Sequence, residues 1–268
     1  MKFFEKIKMY DLTQPLSHLT PAWPTYEPLQ IKFFKRLAPN GANGQLITTS
    51  NHVGTHLDGS LHFCTHGRDI ASIPLDDLIG PAAVVDLSDI AEDYGIYTSK
   101  DIMERVEVKK GDILVIYTGY LRYSWDQPEA DEVRYMIKHP GPTMEFANWC
   151  KEMDIKWVGV DCGSADHPMN TKIREWMPVQ AKECDEVFRK KYGKGLEEVY
   201  PPDHYQLMHT QLFHLDIIHI ENLGGDIDKI LNKRTIVGCF PWRFVGGESS
   251  ICRVVAFDEE LIKDKHKC

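Results

Sequence analysis

The chain has little of what marks several large classes of protein. It has no Cys-x-x-Cys pair, and its seven cysteines are odd in number and widely scattered. Neither a disulfide framework nor a structural zinc knuckle is therefore indicated. No stretch approaches the ~20 consecutive apolar residues of a membrane span, and the first residues lack the continuous apolar core of a signal peptide. We predict free thiols in a reducing compartment and a cytoplasmic location.

Clustered positive charge is also missing. The net charge is −9 at pH 7, and no Lys/Arg cluster overrides it, which argues against nucleic acid as a partner. A hydrophobic content of 43% and a charged content of 26% are ordinary for a globular protein. No internal repeat or domain linker is apparent, so we predict one domain over residues 1–268 that acts on a small molecule, with no nucleic acid or membrane as partner.

The most informative stretch is residues 50–62, which contain three histidines and an aspartate. His52, His56, Asp58 and His62 are all even-numbered, so in an extended chain they project from one face. A straight strand would set the first two imidazoles roughly 13 Å apart at ~3.3 Å per residue. Gly54 lies between them and can supply a bend. The spacing predicts a kinked strand that turns His52, His56 and Asp58 onto one cation, with His62 nearby as a base.

This string resembles the His-x-Gly-Thr-His-x-Asp-x-x-x-His signature of the metal-dependent cyclase-like hydrolases, which include bacterial kynurenine formamidase and isatin hydrolase. The resemblance implies a cation held by His52, His56 and Asp58, with His62 as acid/base. The family often has a proline between the last two of these positions, whereas residues 59–61 here are Gly-Ser-Leu. The resemblance also implies an α/β fold with a central, mostly β sheet flanked by helices, and a homodimer or homotetramer.

A second group of candidate ligands comes late in the chain. In the family, a His twelve residues before the Glu of a Glu-Asn-Leu string completes a second cation site, and His209 and Glu221 match that spacing and string. A carboxylate at the end of a buried strand is costly unless it is paired or metal-bound. His214 and His219 compete for the imidazole role, and His219 would share the strand face of Glu221. We favour His209.

An aromatic, proline-rich segment precedes the motif. Prolines at this density forbid a helix and favour extended structure, and the segment carries Trp23 and Tyr26, with Phe34 a little further on. It is either a hydrophobic lid or a surface patch covered by another subunit. The resemblance implies that Trp23 lines the substrate pocket. Together, Trp23, Tyr26 and Phe34 predict a flat or aromatic substrate.

Apolar periodicity predicts most of the remaining elements. A helix over 99–105 would begin at Ser99 as N-cap, and one over 143–154 at Thr143. A glycine-rich turn is predicted over 39–44, and 170–208 is an insertion read as loop except for a helix near 183–192. Strands are predicted at 30–36, 45–50, 81–87, 112–119, 156–161, 217–223, 235–240 and 251–257.

Polar residues follow the strand at 156–161. Strand ends in α/β proteins face crevices, so Asp161, Ser164, Asp166 and His167 are candidates to line the same cavity. Turn chemistry is the alternative, and we favour it for Ser164 and Asp166.

The predicted function is hydrolysis of a carbon–nitrogen bond in a small amide. Imidazole and carboxylate ligands suit Zn²⁺ or Mn²⁺, as one or two ions per chain. Bound water would become acidic near neutral pH, and His62 would take and return a proton. A lactone hydrolase or cyclase on the same site, a non-catalytic metal-binding protein, and a thiol hydrolase using Cys64 or Cys162 are the alternatives.

Overall fold

The computed structural model describes residues 8–257, which form twelve strands and eight α-helices, with short 3-10 and π-helical turns between them. The strands are β1 Met9–Asp11, β2 Gln30–Lys35, β3 Gly44–Thr48, β4 His56–Asp58, β5 Ile79–Asp86, β6 Ile96–Tyr97, β7 Ile113–Tyr117, β8 Gly141–Pro142, β9 Trp157–Val160, β10 Ile218–Glu221, β11 Lys233–Pro241 and β12 Ser249–Phe257. The helices are α1 Leu37–Asn40, α2 Leu75–Leu78, α3 Ser99–Met103, α4 Met144–Glu152, α5 Ile173–Trp176, α6 Pro178–Tyr192, α7 Leu196–Val199 and α8 Leu207–Leu212.

Seven strands form a sheet that closes on itself in the order β12-β11-β5-β7-β9-β10-β4, because β4 pairs back onto β12. β5, β7, β9 and β10 run parallel to one another, and the remaining pairings in the ring are antiparallel. β1 adds to the free edge of β12 beyond the end of β4. The predicted α/β class is confirmed, and the closure of the sheet into a barrel is a feature that the sequence analysis did not foresee.

Side chains point alternately to the two faces of the sheet along each strand, which creates two apolar cores, one on each side of the sheet. Every strand of the ring contributes to the inner core, with Leu57, Val84, Val115, Trp157, Ile220, Val237 and Val254 among its members. The opposite faces of β5, β7 and β9 pack under the helices, where Phe146 of α4 and Phe188 of α6 are fully buried. The helices therefore cover one side of the barrel.

α4 agrees with its prediction. It begins after Thr143 as N-cap, and its residues at 3.6-residue spacing are buried against the sheet. Phe146, Trp149 and Cys150 are buried, and Met153 packs against them. This apolar stripe belongs to the core, as predicted.

Three local predictions were wrong. α3 has Thr98 as its N-cap instead of Ser99, because Thr98 forms a capping box with Asp101. The turn predicted at 39–44 begins inside the short helix α1, which ends at Asn40 and has Gly41 as its C-cap, with a φ of 68°. The segment 170–208 is mostly helical, since it contains α5, α6, α7 and the start of α8; charged and aromatic residues there hid the periodicity.

β2 and β3 form a separate two-stranded hairpin outside the barrel. Its residues are almost all exposed, as is expected for a strand pair that packs against no core. Of the described helices, none combines the length and apolar composition that crossing a membrane requires.

Candidate metal centre

The register between β4 and β10 sets the geometry of the site. Glu221 lies opposite His56, and His219 lies opposite Asp58. Directly opposed residues share a face of the sheet, and these four project away from the inner core, into which Leu57 points. A strand pair distant in sequence thus gathers two imidazoles and two carboxylates, all buried.

Gly54 supplies the predicted bend. Its φ is +60°, a conformation open to glycine, and a Cβ here would lie 2.5 Å from Cδ2 of Leu16. The bend returns the chain so that Nδ1 of His56 lies 2.8 Å from the carbonyl oxygen of Gly54. That contact fixes the imidazole as an Nδ1–H donor and leaves Nε2 as a free lone pair.

His52, His56 and Asp58 come together as predicted, with one potential ligand atom from each lying within 4.8 Å of the others. Nδ1 of His52 is 3.0 Å and Nε2 of His56 is 3.4 Å from Oδ1 of Asp58. Nε2 of His56 is buried without a hydrogen-bond partner. Buried polar atoms are rarely left unpaired, and this lone pair lies beside the carboxylate of Asp58, so the donor set fits a divalent cation.

The second predicted pair lies alongside. Nε2 of His209 is 3.6 Å from Oδ2 of Asp58 and 4.0 Å from Oε1 of Glu221, and Oε2 of Glu221 is 3.6 Å from Nε2 of His56. Asp58 thus stands between both groups. His219 also lies within reach of His209 and Glu221, so it stays a rival, whereas His214 is exposed and belongs to none of the candidate ligand groups found among residues 8–257.

Burial and like charge dominate the electrostatics here. Burial, reinforced by the neighbouring carboxylate of Asp58, raises the pKa of Glu221 to about 8. Burial also lowers the pKa of His56 to about 4. Although burial opposes it, neighbouring carboxylates raise the pKa of His52 and of His209 to about 10. The buried carboxylates thus favour positive charge beside them, and a bound cation would supply that charge in place of the imidazole protons.

Residues after β9 support the ligand candidates. The Ser164 hydroxyl and the backbone N–H of Ala165 donate to Oε1 of Glu221 at 3.0 and 2.8 Å, and Oδ2 of Asp166 is 2.6 Å from Nδ1 of His209. The turn-only interpretation of Ser164 and Asp166 therefore misses their contacts with the site. Metal-binding histidines usually have such a partner at the second nitrogen.

The other two members of that cluster lie elsewhere. Asp161 accepts hydrogen bonds from the hydroxyl and N–H of Thr118 and from the N–H of Gly119, so it stabilises a turn. His167 packs against the rings of Phe188 and Tyr200. Neither lines the cavity over the metal centre.

Glu248 is the residue that the sequence analysis missed. Its Oε2 lies 2.7 Å from Nδ1 of His62 and 3.0 Å from Nε2 of His52. Although partial burial opposes it, these two histidines hold the pKa of Glu248 well below its usual value. Glu248 immediately precedes β12, and no motif marks it; only the pairing of β12 with β4 brings it to the site.

A cavity of about 150 Å³ opens over these residues. An engineered cavity of about this volume holds benzene, so the space suits one aromatic ring. His52, Asp58, His62, His209 and Glu221 lie on its surface. Its aromatic lining residues are Trp23, Tyr26, Phe63, Trp176 and Tyr205.

Phe34 does not reach this cavity. It lies on β2 of the outer hairpin with 63% of its surface exposed. The prediction that it shares a substrate cavity with Trp23 and Tyr26 of the same chain was therefore wrong. The reason is that the hairpin leaves the barrel, which sequence proximity did not reveal. Cys64 and Cys162 do not line the cavity either, and burial raises the pKa of both thiols, so the thiol-hydrolase alternative has no structural support.

Comparison with known proteins agrees with this fold. The sequence model of the cyclase family matches residues 10–167, which is more than half of the chain. The chain therefore belongs to the cyclase family, and the resemblance noted from its metal motif is confirmed.

Individual relatives carry more specific names. The kynurenine formamidase of Geobacillus thermodenitrificans is 30% identical over 163 residues, which are 60% of this chain and 71% of that protein. Isatin hydrolase A from Ralstonia solanacearum superposes with a TM-score of 0.73 at 19% identity, over 95% of this chain and 93% of that one. An isatin hydrolase bound to the product analogue thioisatinate gives 0.73 at 20% identity, over 95% and 94%. At these identities the solved structures establish a shared fold.

Proposed function

We propose that this protein is a metal-dependent hydrolase of a carbon–nitrogen bond in a small aromatic or cyclic amide. The observation that carries the proposal is the position of Asp58 at the floor of an aromatic-lined cavity. Its carboxylate lies 3.4 Å from His56 on one side and 3.6 Å from His209 on the other, so it can contribute to two buried groups of candidate ligands. The names of its relatives, kynurenine formamidase and isatin hydrolase, support the same reaction class.

His52, His56 and Asp58 would hold one cation, and His209 and Glu221, with Asp58 between the groups, would hold a second. Imidazole and carboxylate donors suit Zn²⁺ or Mn²⁺. Such a cation supplies Lewis acidity, which polarises an amide carbonyl and makes water acidic enough to ionise near neutral pH.

His62 is the proposed acid/base. Its Nδ1 lies against Glu248 at 2.7 Å, so Nδ1 donates to the carboxylate and Nε2 is left as the basic atom. His62 lines the cavity, where Nε2 can remove a proton from the attacking water and return it to the leaving amine. A closed, purely structural metal site would not need a base at the wall of an open cavity.

The cavity walls suit a flat substrate. The ring of Tyr26 packs edge-on against His52 with the centroids 5.2 Å apart, and Trp23 lies on the same cavity. Aromatic walls stabilise a bound ring by stacking and by burial of apolar surface. The single-domain organisation, the homodimer or homotetramer and the cytoplasmic location stay predictions from the sequence.

The test is metal content per chain by plasma mass spectrometry, combined with hydrolysis of N-formyl anilines, isatin and simple lactones. We expect one to two equivalents of Zn or Mn, chelator-sensitive amide hydrolysis, and loss of both in His56→Ala. His214→Ala is the matched control, because His214 is exposed and outside the ligand groups. Turnover of lactones alone would replace the amidase with a lactonase, and failure to bind metal would overturn the proposal.

A further inference from the structure

Gln206 has a strained backbone conformation on the wall of the cavity over the candidate metal centre. Its φ is 43° and its ψ is 53°, which is the left-handed helical region. Glycine adopts this region without steric cost, and asparagine and aspartate are the other residues that visit it routinely. Glutamine is not among them, so its side chain makes this backbone conformation less favourable.

The backbone contacts of Gln206 do not require a side chain. Its N–H donates to the carbonyl oxygen of Asn170 at 2.9 Å, and its carbonyl oxygen accepts from the N–H of Thr210 at 2.8 Å. The side chain makes no capping hydrogen bond at the start of α8. Because a glycine at this position could make both backbone hydrogen bonds with less strain, the fold does not explain the glutamine side chain.

The side-chain amide of Gln206 lies on the cavity wall without a protein partner. Gln206 lines the cavity together with the candidate ligand His209, which follows it by three residues. Within residues 8–257, no other residue forms a hydrogen bond with this amide. Strained residues cluster at binding and catalytic sites, where the strain is part of the mechanism. This combination points to a contact between the amide and a bound substrate.

Two other polar side chains of the cavity wall already have protein partners. Ser164 donates its hydroxyl hydrogen to Glu221, and Nζ of Lys172 lies 2.6 Å from Oε1 of Glu175. The carboxamide of Gln206 presents N–H donors and a carbonyl acceptor next to each other. A hydroxyl or a second carboxamide can pair with both of these groups, whereas a carboxylate would leave the carbonyl oxygen unpaired.

We infer, on the basis of the function proposed above, that Gln206 is a specificity residue whose side-chain amide hydrogen-bonds to a neutral polar substituent of the substrate, such as a hydroxyl or a carboxamide. This substituent is separate from the scissile amide, whose carbonyl would lie at the candidate cation site. Gln206 takes no part in bond cleavage. Its contact with the substituent offsets the backbone strain when substrate is bound.

The first experiment compares N-formyl anilines that carry either a hydroxymethyl group or an ethyl group of nearly the same size, in the meta or the para position. The measured quantity at each position is the ratio of the two kcat/KM values, which cancels general effects on folding or metal content. At one position, we expect the ratio of hydroxymethyl to ethyl compound to be about three- to tenfold higher in the wild type than in Gln206→Leu, as for one hydrogen bond. Gln206→Gly should lose the same preference.

The second experiment is urea unfolding of Gln206→Gly, which separates a role in specificity from a structural role. Glycine relieves the strain of a positive φ, so the urea midpoint should be at or above that of the wild type although the substrate preference is lost. Asp154→Gly is the matched control. Asp154 also has a positive φ, of 52°, but it is exposed and does not line the cavity, so its replacement should leave the substrate preference unchanged.

Equal ratios in the wild type and Gln206→Leu at both ring positions would overturn the inference while leaving the amidase intact. A urea midpoint of Gln206→Gly below that of the wild type would also overturn it, because the side chain would then stabilise the fold by itself. Failure of the wild type to hydrolyse any amide would instead overturn the proposed function, and the inference with it.

Discussion

Nδ1 of His62 and Oε2 of Glu248 lie 2.7 Å apart, and the same carboxylate lies 3.0 Å from Nε2 of His52. One side chain thus orients both the candidate base and a candidate metal ligand. In His62 it fixes the tautomer, because Nδ1 donates its proton to the carboxylate. In His52 it holds a proton on Nε2, so that Nδ1, which lies 3.0 Å from Oδ1 of Asp58, is the atom that faces the candidate cation site.

Glu248→Gln is expected to lower kcat/KM by about 10–100-fold, since loss of an orienting carboxylate has effects of this size. The amide keeps the shape but removes the negative charge that holds both imidazoles. Steady-state kinetics at saturating metal, with metal content measured in parallel, tests this. Glu104→Gln, on an exposed helical pair with Lys100, is the control. Wild-type kinetics in Glu248→Gln would contradict the positioning role.

His209 and His219 are distinguished by comparing their alanine variants. His209 has Asp166 at its second nitrogen, whereas both ring nitrogens of His219 lack a partner. Ligating histidines usually have such a partner, so we expect His209→Ala to reduce bound metal and His219→Ala to retain it. The measurement is the metal content of both variants after dialysis against a weak chelator. Loss of metal in His219→Ala with retention in His209→Ala would identify His219 as the ligand.

Trp23→Ala is expected to raise KM for an aromatic amide roughly tenfold, because an aromatic wall contributes stacking as well as apolar burial. Tyr26→Ala should act in the same direction. Phe34→Ala provides the control, since Phe34 lies on the outer hairpin away from the cavity. Steady-state kinetics on a formyl aniline measures all three. A large effect of Phe34→Ala would show that the hairpin of a second copy reaches the site.

The free energy of unfolding is expected to decrease in acid because His167 is buried. Burial lowers its pKa to about 3, against about 6.5 in the unfolded chain. Between these values the unfolded chain binds a proton that the native protein does not, so the free energy of unfolding decreases as the pH falls. From pH 7 to pH 5 this single group accounts for about 2 kcal/mol.

The measurement is urea unfolding at pH 7 and pH 5 in the wild type and in His167→Gln. The variant should lose about 2 kcal/mol less than the wild type over this interval, whereas His214→Gln, at an exposed position, should match the wild type. Equal losses in His167→Gln and the wild type would show that His167 is protonated in the native state.

Local patterns were enough to predict much of the molecule. The apolar stripe of α4, the strand at β9 and the bend at Gly54 each depend on a few neighbouring residues, whose backbone preferences and periodicity are readable in order. The first group of candidate ligands could be predicted in the same way, because His52, His56 and Asp58 lie within seven residues of one another in the sequence. The helices of 170–208 did not follow, since their buried positions are few and mixed with charge.

The sequence by itself determined the His/Asp motif of residues 52–62, the strand and helix positions with clear periodicity, and the family. Tertiary structure alone decided the closure of the barrel, the partnership of Glu248 with His62, the support of Ser164 and Asp166, and the exclusion of Phe34 from the cavity. The physical reason is pairing between distant segments. β4 pairs with β10 and β12 only when the sheet closes. These pairings depend on burial of the whole core, which cannot be read from a local sequence pattern.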